Sequence, residues 1–105
     1  MSYYFTTTVP KPFEETIDLV NDALKQEGFG VLTSIDVRET FKNKLDVEFR
    51  NYTILGACNP GFAHKALQSE DKIGTMLPCN VIVQEHENGQ VEVSAVDPIA
   101  IRKAI

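Results

Sequence analysis

Asn88-Gly89 stands between two short apolar runs, Val81-Ile82-Val83 and Val91-Glu92-Val93, and this arrangement leaves the last third of the chain few options. Asn-Gly readily takes positive φ at both central positions of a type I′ turn, whose twist matches that of paired strands. A hairpin is therefore expected. Closing it on a two-residue turn also sets a register: Glu87 faces Gln90, Glu85 faces Glu92, Val83 faces Ser94 and Val81 faces Val96. The other face then carries Ile82, Gln84 and His86 beside Ala95, Val93 and Val91. Neither face is cleanly polar in that register. One face packs on helices and the other needs a cover of its own, from a second copy or from a ligand in a cleft. A symmetry mate is the simplest cover, so a homodimer is expected.

The rest of the chain alternates between strand and helix patterns. Residues 3–9, rich in Tyr, Phe, Thr and Val, read as a strand that Pro10 and Pro12 end. Pro12 suits the first turn of a helix, and Glu14 and Glu15 suit the positive end of its dipole. Phe13, Ile17, Val20 and Leu24 recur at helical spacing, and Gly28 supplies the stop. Phe29 to Ile35 reads as a second strand, and Val37, Thr40, Phe41, Lys44 and Leu45 as a short second helix. Strand character returns over 48–57. Asn59 is then a suitable N-cap and Pro60 a suitable first helical residue, predicting a third helix to about Leu67 with Phe62, Ala63, Ala66 and Leu67 on its apolar face. Asp97-Pro98 breaks the last strand, and Ile99 to Ile105 reads as a terminal helix. The predicted order is β-α-β-α-β-α-β-β-α: one α+β domain spanning 1–105, a two-layer sandwich with helices on one face of a mainly antiparallel sheet.

Charge and composition exclude several roles. A net charge of −5 argues against binding nucleic acid through its phosphates, which relies on Lys and Arg. The local basic stretch Arg38, Lys42, Lys44 and Arg50 is expected to be a solvated helix face. No apolar run approaches the roughly 20 residues that span a bilayer, and the first residues have no basic flank or apolar signal core. A cytosolic (cytoplasmic) location is expected, where disulfides do not normally persist.

Both cysteines have unusual flanks, in Ile54-Leu55-Gly56-Ala57-Cys58-Asn59-Pro60 and Met76-Leu77-Pro78-Cys79-Asn80. Cys58 falls at a strand-to-helix junction, where unpaired N–H groups and the helix dipole favour an anion and can lower a thiol pKa from ~8.5. Gly56 allows close approach of backbone or ligand, and strand alternation places Cys58 on the side of Ile54 and Tyr52. A small buried hydrophobe is the alternative reading of this cysteine. Asn80 is expected opposite Asp97 across the hairpin, as a polar pair or simply as two turn-capping residues. If Cys58 and Cys79 meet, they form a dithiol able to take a soft metal or cycle through a disulfide. Their spacing matches no zinc motif. His64 is expected to face water and His86 lies near the hairpin tip, so four ligands for a closed zinc site do not assemble. Phosphate-binding glycine loops and serine nucleophile elbows are absent. Glu85, Glu87 and Glu92, near the hairpin tip, are expected to be solubilising.

The two cysteine segments, with Ala63, Leu67, Val81-Ile82-Val83, Asp97-Pro98, the opening strand and the first helix, resemble the bacterial and archaeal family known as domain of unknown function 302. The resemblance covers nearly the whole chain. It implies a two-layer α+β fold similar to the TATA-binding-protein-like architecture, and a homodimer, but no activity, because the family has none established. The leading expectation is a small homodimeric binding protein whose site gathers Gly56, Cys58, Asn59, Cys79, Asn80 and Asp97. Its ligand would be a small anion, a thiol-reactive metabolite or a soft metal held by Cys58 and Cys79. A thiolate enzyme and a structural dimer with core cysteines are the alternatives; the cofactor is left open.

Overall fold

The computed structural model describes residues 3–96. Its elements are β1 (Tyr4–Val9), α1 (Phe13–Gln26), β2 (Gly30–Asp36), α2 (Val37–Leu45), β3 (Tyr52–Cys58), α3 (Pro60–Ser69), a 3-10 turn at Ile73–Met76, β4 (Cys79–Glu85) and β5 (Val91–Val96). The five strands form one sheet in the order β1-β5-β4-β3-β2, and every neighbouring pair is antiparallel. The α+β order predicted from sequence holds through β5. The expected terminal helix from Ile99, and Asp97 with it, lies outside the described residues.

Local chemistry accounts for most boundaries. Asn59 caps α3 by accepting a hydrogen bond from Phe62 N at 3.1 Å, with Pro60 as the first helical residue. Asp36 does the same for α2 through Glu39 N at 3.0 Å. Pro12 stands one place earlier than expected, in extended conformation just before α1, and its carbonyl accepts from Thr16 Oγ1 at 2.9 Å. Strand character is confined to Tyr52–Cys58, and residues 46–51 run outside the ladder.

The hairpin corrects the predicted register by one residue. Val81 faces Ala95, Val83 faces Val93 and Glu85 faces Val91. A type I′ turn needs positive φ at two positions, but of the turn residues only Gly89 is there, at φ 84°. The loop is therefore three residues long. His86 N donates to Gln90 O at 2.8 Å, Gly89 N donates to His86 O at 2.9 Å, and the Asn88 side chain accepts from Gln90 N at 3.0 Å.

A one-residue shift changes which side chains share a face. Val81, Val83, Val91 and Val93 now line one side together, so the apolar and polar faces separate better than the two-residue turn predicts. Phe13, Val83 and Val91 form the core with Ile17, Val20 and Val93, on the side where α1 crosses β2 and β4. Leu55 (1% exposed) and Val83 (0%) are the largest fully buried apolar side chains. The expected apolar face of α3 is not buried: Phe62 is 54% and Leu67 45% exposed, because α3 packs mainly on the 3-10 turn. Among the described residues, no helix is long and apolar enough to cross a membrane.

Candidate functional site

The pleat turns Tyr52, Ile54, Gly56 and Cys58 of β3 to the sheet face opposite the core, with Asn80, Ile82 and Gln84 of β4. Glu92 and Ser94 of β5 and Tyr4 and Thr6 of β1 share that face. A trough of about 470 Å³ lies there, its floor formed by Asn80, Ile82, Gln84, Glu92 and Ser94 and its walls by Tyr52 at one side and Tyr3 and Tyr4 at the other. This volume falls within the ~300–1,000 Å³ typical of small-molecule sites.

The floor is cross-linked by polar contacts. Gln84, only 8% exposed, accepts from Arg50 Nε at 2.9 Å and donates to Glu92 Oε1 at 3.4 Å. Glu92 Oε2 lies 3.2 Å from His86 Nε2. The hydroxyls of Thr6 and Ser94 bond at 2.8 Å across β1 and β5. Arg50 carries its guanidinium carbon 4.4 Å from the Phe49 ring centroid and 5.6 Å from that of Tyr52. It is exposed and not on a helix, and it adjoins the trough through two of the lining residues, Gln84 and Tyr52; of the expected basic face, Arg38, Lys42 and Lys44 are exposed on α2. A second hollow, of about 460 Å³, opens between residues 8–12 and the hairpin loop.

Of the residues singled out in the sequence, Gly56 faces Asn80 and Cys79 faces Ala57, next to Cys58, while Asp97 lies outside the described residues. Asn80 lines the trough, with Val96 rather than Asp97 one step beyond the Val81–Ala95 pair. Gly56 is opposite Asn80, and a Cβ there would fall on the Thr33 hydroxyl and 2.8 Å from Pro78 Cγ. What approaches Gly56 closely is thus its own chain. Asn59 spends its side-chain oxygen on the α3 cap, and its Nδ2 sits beside Gly28, which has φ +85°.

Cys58 and Cys79 are both free and half-buried. Cys79 pairs with Ala57, so alternation points it to the core side while Cys58 points to the open side. Burial pushes the Cys79 thiol up, and the neighbouring Cys58 adds to the rise. An activated nucleophile needs the opposite direction. Among the described residues, no group of three or more His, Cys, Asp or Glu side chains could hold a metal ion, and His64 is exposed on α3.

Sequence reasoning passed over Gln84, Ser94 and Arg50 as site residues. The signal available was the alternation Asn80, Ile82, Gln84, which marks a polar, apolar, polar stripe on one face of β4. It pairs with Glu92 and Ser94 only in the three-residue-turn register.

Comparison with known proteins agrees with the resemblance. Residues 5–105 match the family described as Domain of unknown function DUF302. This chain belongs to the DUF302 family. An uncharacterized protein of Aquifex aeolicus (strain VF5) is 28% identical to the DUF302 chain over 86 residues. The match takes in 82% of this chain and 54% of that protein, so the chain spans about half the relative's length. The crystal structure of an uncharacterized conserved protein DUF302 from Bacillus stearothermophilus is similar at a TM-score of 0.90 and 32% identity, over 99% of this chain and 80% of that one.

Proposed function

We propose that this DUF302 chain is a binding protein for a small organic molecule, and that the trough on the open sheet face is its site. The observation that carries the proposal is the lining: two polar floor residues, Gln84 and Ser94, are buried within a concave surface walled by tyrosines. A sheet face that is only solvated has no need of aromatic walls around convergent amides and hydroxyls. Among the described residues, Asn80 is the sequence-predicted site residue in the lining. Cys58 stands at the edge of the same face, two residues along β3 from Gly56. Thiolate catalysis fits less well, because the Cys79 thiol is raised.

A two-fold assembly belongs to this proposal. Leu32 and Ile35 on the edge strand β2 are exposed large apolar side chains at the sheet edge opposite β1. A second copy is the proposed cover for this edge. Sedimentation equilibrium of the wild type and Leu32→Glu tests it, with a dimer expected for the first and a monomer for the second. A wild-type monomer would remove the assembly without touching the trough.

The binding site itself is tested by native mass spectrometry of protein purified from cells. A bound small-molecule mass is expected that survives in Cys58→Ala and Cys79→Ala but is lost in Asn80→Leu. A mass that follows the cysteines and ignores Asn80 would move the site to the thiols.

A further inference from the structure

Arg50 is a cation held in place without a counter-ion among the described residues. Its Nε is committed to Gln84 Oε1 at 2.9 Å, and its guanidinium lies over the Phe49 and Tyr52 rings. Both contacts restrict the side chain, so little freedom is left to lose when a further group binds. Among the described residues, no carboxylate comes within ion-pair distance of Arg50. The chain has 15 acids against 10 Lys and Arg, so a shortage of acids is not the reason.

Each acid near Arg50 in sequence or in the network is otherwise engaged. Glu48 pairs with Lys42 at 3.3 Å, and Glu85 accepts from Asn51 Nδ2 at 3.0 Å. The oxygens of Glu92 go to Gln84 and His86, so the Gln84 amide stands between Glu92 and the guanidinium. With Nε occupied, the two terminal nitrogens of Arg50 remain as an end-on fork, a geometry that matches the two oxygens of a carboxylate.

We infer that Arg50 is the anion-recognising residue of the trough and that the ligand is a carboxylate on a planar or apolar body. This rests on the trough being the binding site. The body would lie between the tyrosine walls over Ile82, and the carboxylate would reach the Arg50 fork beside Tyr52. A phosphate dianion fits less well: a single arginine faces it, Glu92 is on the floor, and the chain carries a net charge of −5.

The test is an NMR titration of the full chain with benzoate and with its neutral counterpart benzamide. Benzoate is expected to shift the amides of Tyr52, Asn80 and Ile82 together with the Arg50 side-chain signal. It should bind at least about tenfold more tightly than benzamide, as a charge-assisted pair implies. Arg50→Gln should erase that preference. Arg50→Lys, which keeps the charge but not the fork, should retain only part of it; it also serves if the glutamine variant fails to fold. Equal binding of both probes in the trough, unaffected by either substitution, would overturn the role of Arg50 while the trough stands. No shift at the trough residues with either probe would overturn the trough, and this inference with it.

Discussion

Gly56→Ala is the substitution whose cost can be worked most directly from the geometry. Gly56 is buried in β3 between Thr33 of β2 and Asn80 of β4. An added Cβ would fall on Thr33 Oγ1, 2.8 Å from Pro78 Cγ and 3.6 Å from Thr33 Cβ. Carbon atoms pack at about 3.5–4.0 Å, so the Pro78 ring must retreat by roughly 0.7 Å or more. The Thr33 hydroxyl must also leave, although a β-branched side chain has few other rotamers. Overpacking of this kind costs about 1–3 kcal/mol, and alanine recovers roughly 0.5–1 kcal/mol through the unfolded chain. The net expectation is a loss of about 1.5 kcal/mol, or roughly 6–12 °C in melting temperature for a domain of this length. Thr33→Ala in the Gly56→Ala background removes the worse contact but not the Pro78 one. It should restore about half the loss, a coupling of roughly 1 kcal/mol. Urea and thermal unfolding of the wild type, both single variants and the double variant measure each value. A Gly56→Ala protein within 0.5 kcal/mol of wild type, or no rescue by Thr33→Ala, would refute the packing argument.

The remaining predictions concern the core, the cap and the thiol. Leu55→Ala, at a position 1% exposed, should destabilise by about 2–5 kcal/mol in urea unfolding. Asn59→Ala removes the α3 cap and should cost about 1 kcal/mol, whereas Asn59→Asp, which keeps the acceptor, should cost much less. Burial holds the Cys79 thiol above its ordinary value. Its alkylation by iodoacetamide in Cys58→Ala should therefore rise only at higher pH than that of a model thiol. The linked stability contribution is fully present below the unfolded thiol pKa and is lost as pH rises through the folded one, so unfolding free energy should decline with pH in that alkaline window. A pH-independent difference between wild type and Cys79→Ala across that window would show that the thiol is not perturbed.

Helix and strand existence was legible wherever one residue type admits a single local solution. Asn59-Pro60 reads as a cap and first turn, and that is how it folds, because the asparagine oxygen reaches an N–H that has no other partner. The hairpin was legible, but its register was not. Asn-Gly also fits a three-residue loop, and Asn88 satisfies Gln90 N with its side chain instead of entering the left-handed region. That single step rearranges the faces, so that Val96 rather than Asp97 comes beside Asn80, on the face that carries Gln84 and Ser94. The cysteines drew attention because their flanks are distinctive, yet those flanks serve the α3 cap and the packing around Gly56. The trough was hidden because its walls come from residues 3, 4 and 52, which meet only once β1 lies beside β5 and β3 beside β4.

The central claim is that the open face, and not the thiols or the hollow beneath the hairpin loop, is where this protein binds its ligand. An NMR screen of the full chain with neutral aromatic fragments tests it most directly. Shifts concentrated at Tyr52, Asn80, Ile82 and Ser94 are the predicted result. Shifts concentrated at Cys58 and Cys79, or at Val9, Lys11 and Gln90 around the second hollow, would contradict it.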